Sequence, residues 1–243
     1  MESVTSSGGA SGHSEPLPRS MAFDPVTEAL RGTSDVLQIK RMDHRDVQRK
    51  VFIRNAVLVE KVYRMTPGLR DRKHSWKFED RALKQLEGLN VPRSYGYRFG
   101  RDLEDQAVCV LTKDYVAGKK PQSVDDPLLR KLASVLAKFH QRGVVTNDCS
   151  LDNMLLSDQD ELWIFDFSKA RTFKKGNPLL YYYMGRELFK VRRRVLDHRD
   201  DLYADFCSYY FSEIHALVRI RVGLIRQSAR YLIWIEQRMR EWE

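Results

Sequence analysis

Between Gly143 and Ser168 the chain reads GVVTNDCSLDNMLLSDQDELWIFDFS, and Asp148, Asn153 and Asp166 stand out as a set of hard oxygen donors. Two short apolar runs, Met154–Leu156 and Leu162–Phe165, bracket the polar stretch Ser157-Asp-Gln-Asp-Glu, which is the pattern of a hairpin. A hairpin centred between Gln159 and Asp160 sets position 153 opposite position 166, with side-chain roots about 5 Å apart. One amide oxygen and one carboxylate at that separation suit a hard divalent cation such as Mg²⁺. Asp148 lies in the loop entering the hairpin, five residues before Asn153. The plainer alternative is that these Asn and Asp residues only shape turns.

The series Asp148-x4-Asn153, hairpin, Asp166-Phe167 resembles the catalytic loop and metal-binding Asp-Phe element of the protein-kinase-like fold. The resemblance implies that Asp148 accepts the proton of an attacking hydroxyl. It implies that Asn153 and Asp166 hold the Mg²⁺ ions bridging the phosphates of ATP. Lys61, in the apolar run Leu58-Val-Glu-Lys-Val-Tyr, falls where that fold places the lysine for the α- and β-phosphates, and Glu79 where it places the ion-pair partner. Read singly, Lys61 is an ordinary strand lysine and Glu79 an ordinary surface charge; Glu60 and Glu87 compete with Glu79 for the carboxylate's register. Two His-Arg-Asp triplets, at 44–46 and 198–200, match a kinase tripeptide but are followed five residues on by Val51 and Asp205 rather than Asn, and are chance matches.

The elements that must position these residues are also legible. Strands are expected at 35–41, 51–54 and 57–63, with a tight turn at Asn55-Ala56 joining the last two. Residues 76–87 have helical spacing through Phe78, Ala82, Leu83 and Leu86, and Gly88, Asn90 and Pro92 end that helix. Two more strands are expected at 94–99 and 107–112. Asp126-Pro127 reads as a cap and first turn, followed by the helical face Leu128, Leu129, Leu132, Val135, Leu136 and Phe139, with Gly143 just past the end. Residues 201–243 are mostly helical in pattern. The fold class expected is α+β, a protein-kinase-like bilobal fold. Residues 1–32, rich in Ser, Gly and Pro, read as a disordered tail, 33–116 as a β-rich, ATP-binding lobe and 117–243 as a reduced helical lobe carrying the catalytic loop and acceptor side.

The 243 residues carry 42 Lys and Arg against 33 Asp and Glu, a formal charge of +9 that points to anionic partners. No apolar run approaches the roughly 20 residues of a membrane-spanning helix. The first 20 residues hold no apolar block, so no secretory signal peptide is expected. Three scattered cysteines, Cys109, Cys149 and Cys207, fit a reduced cytosolic protein without disulfides or a zinc site.

Several departures from the kinase pattern narrow the reading. Thr146 stands where a His usually precedes the base, removing one support of the loop, and Ser168 where Asp-Phe-Gly has glycine. Residues 42–48 (MDHRDVQ) replace a glycine-rich phosphate loop, and no Ala-Pro-Glu element follows Asp166. In its place comes a basic segment: Lys169, Arg171, Lys174, Lys175, Arg186, Lys190, Arg192, Arg193 and Arg194. Short, basic and without a glycine loop, the chain resembles the bacterial lipopolysaccharide core kinases, the heptose kinases above all. That resemblance implies transfer of the ATP γ-phosphate to a heptose or Kdo hydroxyl of the inner core, in the cytoplasm at the inner membrane's cytoplasmic face. The basic segment then meets an anionic glycolipid; equally, it reads as a solvated face. The stretch 217–242 interleaves Arg with Leu, Ile, Tyr and Trp, which suits helix packing and also contact with an anionic membrane surface. Other readings are a phosphotransferase of the aminoglycoside or choline type and a catalytically silent kinase-like binding module. No nucleic-acid module is recognisable.

Overall fold

Five strands in the first half of the chain build one antiparallel sheet, its central members buried on both faces. A computed structural model describes residues 36–44, 47–54, 56–64, 75–101, 105–174, 176–214 and 216–240. Strands β1 (Val36–His44), β2 (Val47–Arg54), β3 (Leu58–Arg64), β4 (Ser94–Arg101) and β5 (Ala107–Asp114) lie in the order β1-β2-β3-β5-β4. Helix α1 (Ser75–Gln85) falls between β3 and β4 in sequence. The 1–32 tail, and Asn55 of the expected tight turn, lie outside the described residues. Arg54 pairs with Leu58, so that turn has three residues, with Ala56 in the left-handed region at φ 51°. The β1–β2 ladder closes at His44↔Val47, so strand pairing occupies most of the stretch where a phosphate loop would sit.

Period-two alternation gives β3 and β5 two different faces. Phe52, Val62, Val108 and Val110 cluster on one. Tyr63, Cys109 and Leu111 meet Trp76 of α1 on the other, with the Tyr63 and Trp76 rings 5.4 Å apart. Lys61 and Lys113 share parity with Tyr63 and Leu111, so both point toward α1. Glu60 belongs to the opposite face, where Arg54 and Arg98 each hold it at 2.9 Å. In α1 the buried residues are Trp76, Glu79, Asp80, Ala82 and Leu83. Phe78, expected on the apolar face, is largely outside it, because the helix rotates to bring Trp76 and Glu79 inward.

The rest of the chain is mainly helical: α2 (Asp126–Gln141), α3 (Pro178–Arg194), α4 (Asp200–Glu213) and α5 (Ala216–Arg240). Two short ladders lie among them, β6 (Val144–Val145) with β9 (Arg171–Thr172), and β7 (Met154–Leu156) with β8 (Leu162–Ile164). The cap of α2 is Asp125 rather than Asp126, its carboxylate accepting from Leu128 N at 2.9 Å. The expected α2 face is buried, and Gly143 ends the helix at φ +75°, a conformation cheap only for glycine. One core joins α2, α3 and α4 to Met154, Ile164 and Phe167, and also takes in Ala82 and Leu83 of α1 and Leu86 just past its end. Helix α1 thus serves both halves. Among the described residues no helix is long and apolar enough to cross a membrane.

The basic segment after Asp166 is largely the helix α3, whose buried side is Leu180, Tyr181, Met184, Leu188 and Val191. Helix α5 packs on α3 through Ile225 and Ala229, leaving Leu224, Tyr231, Trp234 and Met239 exposed. The two helices meet at Gly185: a Cβ there would lie 2.6 Å from the Ile225 carbonyl oxygen and 2.6 Å from Ser228 Cβ. Gly185→Ala is expected to force the helices apart and cost about 1–3 kcal/mol. Urea titration would show this as a lower midpoint with an unchanged slope.

Candidate active site

Glu79 has no exposed surface, and charge collects around it. Lys61 Nζ lies 2.8 and 2.9 Å from its two oxygens, and Lys113 Nζ lies 2.6 Å from Oε1. Tyr63 donates to Oε2 at 3.3 Å. Lys61 also reaches Asp166 Oδ1 at 3.1 Å, and Lys113 donates to the Phe165 carbonyl. Two strands and one helix are thereby tied to the chain leaving β8. Two ammonium groups face two carboxylates, so the cluster is neutral.

The titration behaviour follows from this division. Burial alone would discharge Lys61, but Glu79, with Tyr63 and Asp166 behind it, holds it protonated far above its ordinary range. Burial would raise Glu79 and Asp166; the two lysines hold both well below the usual carboxylate range. Lys113 bears the cost, pushed down to about 8 by burial and next by the charge of Lys61. Glu60 and Glu87 are eliminated as partners of Lys61, the first on the far face of the sheet and the second on the surface, 3.5 Å from Arg93.

The β7–β8 hairpin differs from expectation by one residue. Met154, Leu155 and Leu156 pair with Ile164, Trp163 and Leu162, and Phe165 N donates to the Asn153 carbonyl at 3.2 Å. Asn153 therefore lies opposite Phe165, not Asp166. The cause is a three-residue loop, closed by Ser157 N to Glu161 O at 3.0 Å, with Asp160 left-handed at φ 59°. Asn153 and Asp166 still leave the hairpin at the same end. Asn153 closes a short 3₁₀ turn, Leu151–Asn153, and its Nδ2 donates to the Asp148 carbonyl at 2.8 Å. That leaves the amide oxygen as the atom for a cation. Asp166 Oδ1 also accepts from Ser168 N at 3.1 Å. Among the described residues no group of three or more His, Cys, Asp or Glu could form a dedicated metal cage. One carboxylate and one amide oxygen nevertheless fit Mg²⁺, which is commonly held by one or two protein ligands together with substrate phosphates.

Asp148 sits on the loop after β6, both of its oxygens engaged: Lys169 lies 2.9 Å from Oδ2 and Arg194 2.6 Å from Oδ1. The His-Arg-Asp triplet at 198–200 has a structural role instead, Asp200 pairing with Arg192 at 2.7 Å. None of the three cysteines is disulfide-bonded, and burial raises all three thiols, Cys109 to about 12, so no activated thiolate competes for the role of nucleophile.

The chain is similar to 3-deoxy-D-manno-octulosonic acid kinases. That of Vibrio cholerae is 30% identical over 102 residues, 37% of this chain and 43% of that protein. That of Vibrio vulnificus strain YJ016 is 34% identical over 101 residues, 38% and 42% of the two chains, and that of Vibrio parahaemolyticus 28% over 97 residues, 37% and 40%. The matches thus span about two fifths of these curated relatives. No family model matches the chain.

The sequence gives no direct sign of two contributors, Lys113 and Glu187. Lys113 follows an apolar run and reads as a strand-end lysine. Glu187, fully buried on α3, props the loop that leads into Asp148. Its Oε1 accepts from Asn147 N at 2.7 Å and from the Thr146 hydroxyl, and its Oε2 from Thr146 N at 3.2 Å. His140 Nε2 lies 2.7 Å from Oε2, and the other ring nitrogen lies 2.6 Å from the Tyr210 hydroxyl. The support lost with Thr146 in place of His is therefore replaced from α3. Burial would raise Glu187, but the bond and charge of His140, with the loop donors, hold it low. A carboxylate with a depressed folded-state pKa stabilises the fold above its ordinary range, and that contribution drains as pH falls. Glu187→Gln is expected to flatten the acid limb of stability below about pH 4.5, measured as urea midpoints against pH. Glu187→Ala, stripping its buried partners, is expected to cost about 3 kcal/mol or more.

Proposed function

We propose that this protein is an ATP- and Mg²⁺-dependent kinase that phosphorylates a sugar hydroxyl of the lipopolysaccharide inner core, heptose or Kdo, with a protein-kinase-like bilobal fold. The lobes are 33–116 and 117–243. The observation that carries the reading is the buried link Lys61–Glu79 extended to Asp166, with Asp148 and Asn153 joined on the adjacent loop. Similarity to octulosonic acid kinases supports it and brings Kdo forward among the acceptors.

In this mechanism Lys61, oriented by Glu79, meets the α- and β-phosphates, and Lys113 keeps Glu79 in place. Asn153 Oδ1 and the Asp166 carboxylate would hold Mg²⁺, which neutralises charge on the phosphate oxygens during transfer. Asp148 accepts the proton of the sugar hydroxyl as its oxygen bonds to the γ-phosphorus; the bridging P–O bond breaks and its electron pair leaves with ADP. The cationic surroundings of Asp148 favour an anionic glycolipid over the amine-bearing acceptors of the aminoglycoside and choline enzymes.

Such an acceptor places the protein in the cytoplasm, peripheral to the inner membrane. Helix α5 supplies a contact surface, exposing Leu224, Tyr231 and Trp234 alongside Arg226, Arg230 and Arg238.

Transfer of labelled γ-phosphate from Mg-ATP to unphosphorylated lipopolysaccharide core tests the activity. The wild type is expected to label the glycolipid, and Asp148→Asn to lose 10²–10⁴-fold in rate, roughly the weight of a general base. Label on a generic protein substrate alone would overturn the acceptor. Co-sedimentation with phosphatidylglycerol vesicles is expected to fall at least several-fold for Tyr231→Ser/Trp234→Ser, and to fall with added salt.

A further inference from the structure

On the reading that Asp148 is the base, its present state is unproductive. Lys169 and Arg194 occupy one carboxylate oxygen each. Charge-assisted bonds of this kind are strong, and with one on each oxygen a substrate hydroxyl must compete for its place on the carboxylate. The capping cations are nonetheless lightly held: the Lys169 side chain is 61% exposed and that of Arg194 36%, against 16% for Asp148.

The neighbourhood also has more positive than negative charge. Lys190 donates to the Asn147 carbonyl at 2.5 Å and is pushed down to about 8 by burial and then by Arg186, with Arg194 adding to the effect. Glu187 is committed to His140 and the loop. Arg192 is turned away onto Asp200 and Glu236. Asp148 is therefore the carboxylate that Lys169 and Arg194 share, with Lys190 and Arg186 beside them.

We propose that Lys169 and Arg194 form a removable cap on Asp148, and that a sugar acid removes it: the acceptor's own carboxylate takes over the two cations and frees an Asp148 oxygen for the hydroxyl proton. The exchange replaces one carboxylate by another on the same cations, so neither cation is left unpaired, and the released Asp148, itself partly exposed, takes the substrate hydroxyl in their place. Water and neutral sugars bring no such anion, so the base stays covered and ATP is not wasted on them. The cap is at once an acceptor filter and a brake on hydrolysis.

The test compares wild type with Lys169→Met/Arg194→Met, folding being checked by circular dichroism and thermal midpoint. The first measurement is nucleotide-free calorimetric binding of the methyl glycoside of 3-deoxy-D-manno-octulosonic acid, of its methyl ester and of glucose 6-phosphate. The wild type is expected to bind the acid at least ten-fold more tightly than either, and the double variant to bind all three alike. The second measurement is turnover: the variant is expected to hydrolyse ATP several-fold faster without acceptor, while its KM for the acid rises at least ten-fold. Acid and ester bound alike by the wild type, or hydrolysis unchanged in a folded variant with transfer still measurable, overturns the cap and leaves the kinase reading standing. Glucose 6-phosphate bound as tightly as the acid overturns the carboxylate assignment. No turnover in either protein overturns the kinase reading, and with it the brake, whereas a preference for the acid that depends on Lys169 and Arg194 would still support the anion site.

Discussion

A carboxylate with no access to water must be matched by cations where it lies, because an unpaired buried charge costs several kcal/mol. Glu79 is such a group, and Lys61, Lys113 and Tyr63 are its matches. The constraint reaches far. It rotates α1 so that Trp76 and Glu79 face the sheet and Phe78 is left outside. It couples β3 to β5 beyond their ladder, and through Asp166 and the Phe165 carbonyl it carries the sheet's position to the chain leaving β8. Apolar packing brings these elements near one another; the shared charge specifies their angle.

Glu187 plays a parallel part on the other side. It too is fully buried, and it gathers backbone and side-chain donors from the loop before Asp148 together with His140 of α2. Two buried carboxylates thus bracket the candidate site, one behind Lys61 and one beneath the loop that carries Asp148. Between them the partners change character: Lys169 and Arg194 are long and solvent-facing. The ion pairs around Glu79 and Glu187 are buried, whereas those on Asp148 face solvent.

Local signals were enough to reveal much of this. Apolar alternation marked the strands, the spacing from Leu128 to Phe139 marked α2, and the order of Lys61, Glu79, Asp148, Asn153 and Asp166 marked residues the structure brings into two linked clusters. Long-range choices were not legible. Lys113 owes its role to a helix 34 residues away in sequence, and Glu187 to a loop about 40 residues before it. In helix α3 the Lys and Arg residues mask the apolar period by composition, although Asn177-Pro178 and Leu180, Tyr181, Met184, Leu188 and Val191 carry an ordinary cap and helical period. The one-residue error in the β7–β8 pairing arose because composition alone does not distinguish a two-residue from a three-residue hairpin turn.

That turn gives a surface loop an unusual kind of importance. Its three residues are solvent-facing and chemically interchangeable in large part, yet their number decides which partner faces each strand residue, since a shift of one exchanges the two faces of a hairpin. The segment between Ser157 and Glu161 behaves as a spacer whose parity matters more than its lettering, the left-handed Asp160 being its one constrained position. Substitutions at Asp158 and Gln159 would change little, whereas a single codon gained or lost would misalign Asn153 and Asp166 from a distance, with neither residue changed.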